Sequence, residues 1–211
     1  MRLLAVADLH GRTARLDALA ATAARLTPDA VVVAGDLTAY LDPAPVIARL
    51  ARLPTPVLVV RGNSDLPVVA GLLDRHAGIT HLHLRAATVA GVRVVGASGT
   101  LPVPFATRVG LFEAGTLARL APLVDEATVL VAHPPPRGTL DEVFGVLHAG
   151  SAGLRDFVLR RAPAVLLCGH IHERRGVAHL GRTLVVNCSV GRGGAGVLLT
   201  IDADGPRAEL L

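Results

Sequence analysis

The stretch Arg2-Leu3-Leu4-Ala5-Val6-Ala7-Asp8-Leu9-His10 opens the chain with an apolar run that stops at two residues able to bind a metal. Residues 2–7 have the length and composition of a short buried strand. The pattern then recurs. Residues 30–34, Ala-Val-Val-Val-Ala, give way to Gly35-Asp36, and residues 57–60, Val-Leu-Val-Val, give way to Arg61-Gly62-Asn63-Ser64-Asp65. Between the first two runs, Leu16, Leu19, Ala20, Ala23 and Leu26 recur at helical spacing over residues 14–26. Helices are also expected over residues 46–53 and 66–75. This alternation predicts parallel strands, buried on both faces and covered by crossover helices.

Further along, the rhythm changes. Residues 80–84, 87–89 and 92–96 read as consecutive short strands with little room for helices between them. A helix over 113–123, a strand over 128–132, a helix over 152–161 and a strand over 164–168 follow. Three more strands, over 176–180, 183–187 and 196–202, are expected to be joined by glycine-containing turns, residues 191–196 forming a hairpin turn. Helices outside a strand-rich middle predict an α/β fold of two packed sheets.

Composition narrows the functional classes. The chain has 211 residues, of which 51% are hydrophobic and 18% charged, which suits one compact α/β domain over residues 1–211. Aromatic residues make up 2%, too few for platforms that stack nucleobases. The net charge is +4, but all 21 basic residues are arginines and they are scattered, so nucleic acid is not the expected partner. The apolar runs are too short to span a bilayer, and the few apolar residues before Asp8 do not make a secretory signal, so a cytoplasmic protein is expected. Cys168 and Cys188 lack metal-like spacing and read as free thiols of a reducing compartment.

Five expected strands end in a residue with metal-binding oxygen or nitrogen: Asp8 with His10, Asp36, Asn63, His133, and His170 with His172. Each alone is what a capped turn would use. Together they occupy the ends of strands where sites form in α/β sheets. Two aspartates, one asparagine and four histidines give mixed O and N donors without thiolate. That set suits manganese first, with iron or zinc as alternatives, and seven donors are enough for two ions. Paired divalent ions are the recurring device for displacement at phosphorus.

Taken together, Asp8-Leu9-His10, Gly35-Asp36, Gly62-Asn63-Ser64-Asp65, Ala132-His133 and Gly169-His170-Ile171-His172 resemble the calcineurin-like metallophosphoesterase superfamily. The stretch from His133-Pro134-Pro135-Pro136-Arg137-Gly138 to His148-Ala149-Gly150-Ser151 is similar to its small Icc-related bacterial and archaeal branch. That branch is related to the animal cyclic-nucleotide phosphodiesterases of the metallophosphoesterase-domain type. The resemblance implies a four-layer α/β/β/α sandwich of two mixed sheets flanked by helices. It implies that Asp8, His10 and His172 hold one metal, that Asn63, His133 and His170 hold the other, and that Asp36 bridges them. It also implies a small-molecule phosphate ester as substrate, probed first as a phosphodiester, with activated water as nucleophile. A phosphomonoesterase or nucleotide pyrophosphohydrolase on the same site, and a non-catalytic scaffold, are the competing readings.

One position departs from the superfamily pattern. Many members carry histidine where this chain has Ser64, and a serine hydroxyl is a poor general acid near neutral pH. Ser64 is therefore expected to hydrogen-bond the phosphate, with His148 or a metal-bound water supplying the proton. Arg61 reads as a surface ion pair before it reads as a phosphate contact. His81 and His83 read as a solvated strand face, as do His76 and His179. Residues 101–108 and 134–150 are the expected walls of the substrate pocket, and Asn187 and Cys188 are expected to lie near the site.

Overall fold

The computed structural model describes residues 1–40, 42–99, 113–191 and 195–211. The expected opening rhythm forms one sheet: β1 (Arg2–Val6), β2 (Ala30–Ala34) and β3 (Val57–Val60) run parallel, side by side. β4 (Ile79–His81), expected over 80–84 with the later short strands, joins them as a fourth parallel strand. Helices α1 (Thr13–Leu26), α2 (Ala44–Leu50) and α3 (Val68–Leu73) connect them. A second sheet is built from β5 (Ala86–Val89), β6 (Val92–Ala97) and β7 (Val129–Ala132), then β10 (Val165–Cys168), β11 (Gly176–Leu180) and β12 (Thr183–Asn187). A separate hairpin, β8 (Glu142–Val143) with β9 (Leu147–His148), interrupts the second half. The chain then returns to the first sheet as β13 (Val197–Asp202) and β14 (Gly205–Leu210).

Each six-stranded sheet contains four adjacent parallel strands. In the first, β1 to β4 reach one edge, and the antiparallel β13 and then β14 extend the other side. In the second, β12, β10, β7 and β6 lie in the middle, with the antiparallel β11 and β5 at the two edges. The orders are β14-β13-β1-β2-β3-β4 and β11-β12-β10-β7-β6-β5. Strand residues alternate between two cores, as a two-residue period requires. Leu3, Ala5 and Ala7 face the second sheet, whereas Leu4 and Val6 face α1 to α3. In β10, Val165 and Leu167 face the first sheet. Leu166 and Cys168 pack instead against the layer of α4 (Glu113–Leu120) and α5 (Ala152–Arg161). Three apolar layers thus hold four structural layers together, with each fully buried valine or leucine contributing roughly 1.5–3 kcal/mol. This is the α/β/β/α sandwich expected. Among the described residues no helix is long and apolar enough to cross a membrane.

The differences from expectation have local causes. The helix expected over 46–53 starts earlier, at Ala44, because Pro43 and Pro45 suit a first turn where no N–H is needed. That expected over 113–123 ends as α at Leu120 and closes as a 3-10 turn, Ala121–Leu123, containing Pro122. β14 escaped notice because Gly205 and Pro206 open it, yet an outermost strand tolerates proline. The hairpin turn expected over residues 191–196 falls largely on residues 192–194, which lie outside the described residues; the flanking strands β12 and β13 do not pair with each other but belong to different sheets.

The central layer leaves little slack. A Cβ on Gly96 of β6 would lie 2.6 Å from both Leu82 Cβ and Val60 Cγ1, atoms contributed from the side of the first sheet. Gly96→Ala is expected to cost about 1–3 kcal/mol by overpacking, read as a lower urea midpoint. An unchanged midpoint would show that the sheets can separate locally.

Candidate metal centre

Because the central strands of both sheets are parallel, their carboxyl ends share one rim, and the loops there carry the polar residues. Asp8 follows β1, Asp36 follows β2, Asn63 follows β3, His133 follows β7, and His170 and His172 follow β10. The structure brings all of them and His10 together. His133 Nε2 lies 3.0 Å from Asn63 Oδ1, 3.5 Å from Asp36 Oδ1 and 4.0 Å from Asp8 Oδ1. His172 Nε2 lies 3.2 Å from Asp8 Oδ1 and 3.4 Å from His10 Nε2, and His10 Nε2 is 3.8 Å from Asp36 Oδ2. The His170 ring stands edge-on to His133, with centroids 5.1 Å apart.

Backbone conformation enforces this convergence. Asp8, His10, Asp36 and His170 all lie in the left-handed region, with φ of 62°, 49°, 54° and 70°. Such residues cost on the order of 1 kcal/mol or more each and concentrate at functional sites. The glycines beside them are spacers. A Cβ on Gly62 would collide with the Asp36 carboxylate and lie 2.5 Å from the Asp36 nitrogen. One on Gly169 would lie 2.7 Å from Asp8 Oδ2 and overlap Ala7.

Around the donors stands a ring of buried hydrogen bonds. Asp65 accepts from the Leu37, Thr38 and Gly62 N–H groups and from the Thr38 hydroxyl, tying the Asp36 loop to the Asn63 loop. Burial pushes its carboxyl up, and the nearby Asp36 charge adds to this. Ser189, which sequence reasoning missed, donates to Asp8 Oδ2 at 2.5 Å, and the His170 N–H donates to the same oxygen at 3.0 Å. Asn187 donates to the Ile171 carbonyl and so shapes the turn between His170 and His172.

Ser64 is 2% exposed, and its hydroxyl donates to the Thr38 carbonyl at 2.5 Å. Its only other side-chain neighbour within hydrogen-bonding reach, among the described residues, is His10 Nδ1 at 3.4 Å. This differs from the expected contact with phosphate, because the hydroxyl proton is already committed. His148 stands apart from the cluster, on the small hairpin. Its Nδ1 is 2.8 Å from the buried Asp141 carboxylate, and the pair lines a cavity of about 170 Å³ with Glu142 and Arg174. His81 and His83 are not on a solvated face: His81 is 7% exposed and stacked on His83. Arg61 makes no ion pair among the described residues and is half-buried. Of the expected pocket walls, residues 101–108 lie outside the described residues.

The donors fit divalent cations. His133 Nδ1 faces the Ala34 carbonyl at 2.9 Å, so it must carry the proton, which leaves Nε2 as a lone pair. That lone pair faces the Asn63 carbonyl oxygen and two carboxylates, all acceptors, and the two Nε2 atoms of His10 and His172 face each other. Such a set requires a proton or a cation in its midst. Without a cation the protonation states show the strain. Burial disfavours charge on His133, but Asp36 and Asp8 outweigh it and hold this group up at about 9. His170 is pushed down to about 4 by burial and by the His133 charge. Burial works to raise the Asp8 carboxyl, yet His172 and His133 hold it below the usual range.

Comparison with known proteins agrees with this site. The calcineurin-like phosphoesterase profile matches residues 1–174, the span that contains every one of these donors. The chain belongs to the calcineurin-like phosphoesterase family. It is 29% identical over 198 residues to the uncharacterised protein MJ1162 of Methanocaldococcus jannaschii, across 90% of this chain and 88% of that one. Its fold matches TT1561 of Thermus thermophilus with a TM-score of 0.76 and 20% identity, covering 99% and 98% of the two chains. A novel archaeal phosphodiesterase superposes with a TM-score of 0.58 and 13% identity over the full length of both. The family hydrolyses phosphoric esters with paired metal ions, and this phosphoesterase retains candidate ligand groups for them.

A cation held at His133 would bind in a pH-dependent way. Folding favours its charged form, so its contribution to metal-free stability is complete below about pH 6.5 and is lost as pH rises through about 9. A cation must displace that proton. Calorimetric titration of metal-free protein with Mn²⁺ at pH 7, in buffers of differing ionisation heat, is expected to show proton release and tighter binding at higher pH.

Proposed function

We propose that this phosphoesterase is a phosphodiesterase of small molecules, cyclic nucleotides among the candidates, that works with two divalent ions, manganese by preference. The observation that carries the reading is the position of Asp36, with one carboxylate oxygen toward His10 and the other toward His133. In this reading Asp8, His10 and His172 hold one ion, Asn63, His133 and His170 hold the other, and Asp36 serves both. When bound, the ions supply positive charge to the phosphoryl oxygens and make water acidic enough to act as nucleophile at neutral pH.

The chain's own residues do the rest. Asp65 and Ser189 hold the carboxylate loops in register, and the Ser64 N–H, 2.8 Å from Asp36 Oδ1, orients that carboxylate. The Ser64 hydroxyl takes a positioning role beside His10 rather than a catalytic one. His148 supplies the proton to the leaving oxygen: Asp141 fixes its Nδ1 as the donor end, leaving Nε2 for proton transfer. The free, buried thiols of Cys168 and Cys188 fit a cytoplasmic home.

Metal analysis combined with hydrolysis of bis-nitrophenyl phosphate, nitrophenyl phosphate and cyclic nucleotides tests the reading. Asp36→Asn is expected to lower every activity by about 10³-fold or more. Activity within tenfold of wild type would place the chemistry elsewhere, and faster turnover of the monoester would make the protein a phosphomonoesterase. His148→Ala is expected to slow alkyl diesters by about 10²-fold and nitrophenyl esters, whose leaving groups need little protonation, far less. Equal losses on both would remove His148 from the mechanism.

A further inference from the structure

A second polar group stands on the same rim, beside the metal ligands and outside them. Arg61 follows β3, His81 closes β4, His83 lies two residues further on, and Ser98 follows β6. β4 is the neighbour of β3, and β6 the neighbour of β7, so the group joins both sheets: His81, His83 and Ser98 stand one strand away from Asn63 and His133, and Arg61 two residues before Asn63. Ser98 is its hub. Ser98 Oγ accepts from the Arg61 N–H at 2.9 Å and lies 3.1 Å from His81 Nε2, while the Ser98 N–H donates to His83 Nδ1 at 3.0 Å. The Gly99 N–H donates to the Arg61 carbonyl, which closes the frame.

The frame leaves donors without acceptors. Arg61 Nε and Nη1 are buried and have no hydrogen-bond partner among the described residues. His83 accepts at Nδ1, so in the neutral ring the proton sits on Nε2 and adds a further N–H. Burial and the neighbouring Arg61 charge keep both histidines neutral, so the guanidinium remains the group's one fixed positive charge. A guanidinium presenting unpaired N–H groups is suited to planar or tetrahedral oxyanions. Buried unpaired donors cost free energy unless an acceptor arrives.

The geometry points to a subsite in which Arg61, framed by His81, His83 and Ser98, binds a second phosphoryl group of the substrate, beside the ester whose phosphorus reacts. The inference rests on the phosphodiesterase reading for the location of the reacting group. It narrows the substrate class to phosphate esters that carry a neighbouring phosphoryl group, such as nucleoside diphosphate derivatives. The Arg61 guanidinium accepts no proton and forms no bond; it contributes charge and orientation.

Calorimetry of the metal-loaded protein at saturating Mn²⁺, with AMP and the methylene-bridged analogue of ADP as ligands, tests this. The wild type is expected to prefer the two-phosphoryl ligand by about tenfold to a hundredfold, the range of one charge-assisted hydrogen-bonded contact. Arg61→Met should abolish that preference and Arg61→Lys should keep part of it. Equal affinity of the wild type for both ligands overturns the inference without any variant, as does a preference that survives Arg61→Met. Hydrolysis of bis-nitrophenyl phosphate by the wild type reports on the phosphodiesterase reading alone, so the two failures are distinguishable.

Discussion

The arrangement turns on the Asp36 carboxylate, buried to 2% exposure at the meeting point of the two sheets. A buried negative charge is tolerated only when it is paired and hydrogen-bonded. The Ser64 N–H supplies the hydrogen bond, His10 and His133 the facing nitrogens, and Gly62 the empty volume. Residues that follow β1, β3 and β7 are therefore committed to the one carboxylate that follows β2. Burial alone would raise this carboxyl, but the His133 charge and hydrogen bond, with the Ser64 N–H, bring it far below the usual range. Asp36 is thus held ionised, as its proposed role of shared ligand requires.

That concentration of charge is affordable because the fold separates its stabilising and its strained parts. The apolar layers between the sheets and beneath the helices consist almost entirely of valine, leucine and alanine in regular conformations. At the carboxyl-end rim, buried polar groups meet the left-handed residues Asp8, His10, Asp36 and His170, of which Asp8, Asp36 and His170 depart from regular strand geometry within two residues of a strand end. Strain of this kind persists only when its surroundings over-determine it. Here Asp65 and Ser189, both buried, fix the loops from behind.

How much of this was legible depended on whether the signal was local. Apolar runs such as Val57–Val60 identify strands because burial on both faces needs little else, and a ligand residue just past each run follows from strand ends facing one rim. Ser189 carries no such signal. It reaches Asp8 because β12 lies beside β10 and the chain beyond it pairs with Ala7 of the other sheet, a contact between residues 181 apart. His81 and His83 misled for a similar reason: their alternation is that of an exposed strand face, but Ser98 from the opposite sheet covers them. The hairpin of β8 and β9 has two-residue strands, too short for any periodicity to register.

Ser64 shows where residue identity and residue role part. Its position within Gly62-Asn63-Ser64-Asp65 marks it as part of the site, and its chemistry marks it as no proton donor. Geometry adds a third fact, since the hydroxyl already bonds Thr38, whose own N–H and hydroxyl bond Asp65. The Ser64 side chain thus belongs to the same clamp as Asp65, joining the Asp36 loop to the Asn63 loop. A site that places a clamp residue here must take its leaving-group proton from another element. His148, supported by a buried aspartate on a hairpin outside both sheets, is equipped for that transfer. In the proposed mechanism the rim divides its labour: strand-end residues would hold cations and oxyanions in fixed register, and the appended hairpin would carry the group that exchanges protons.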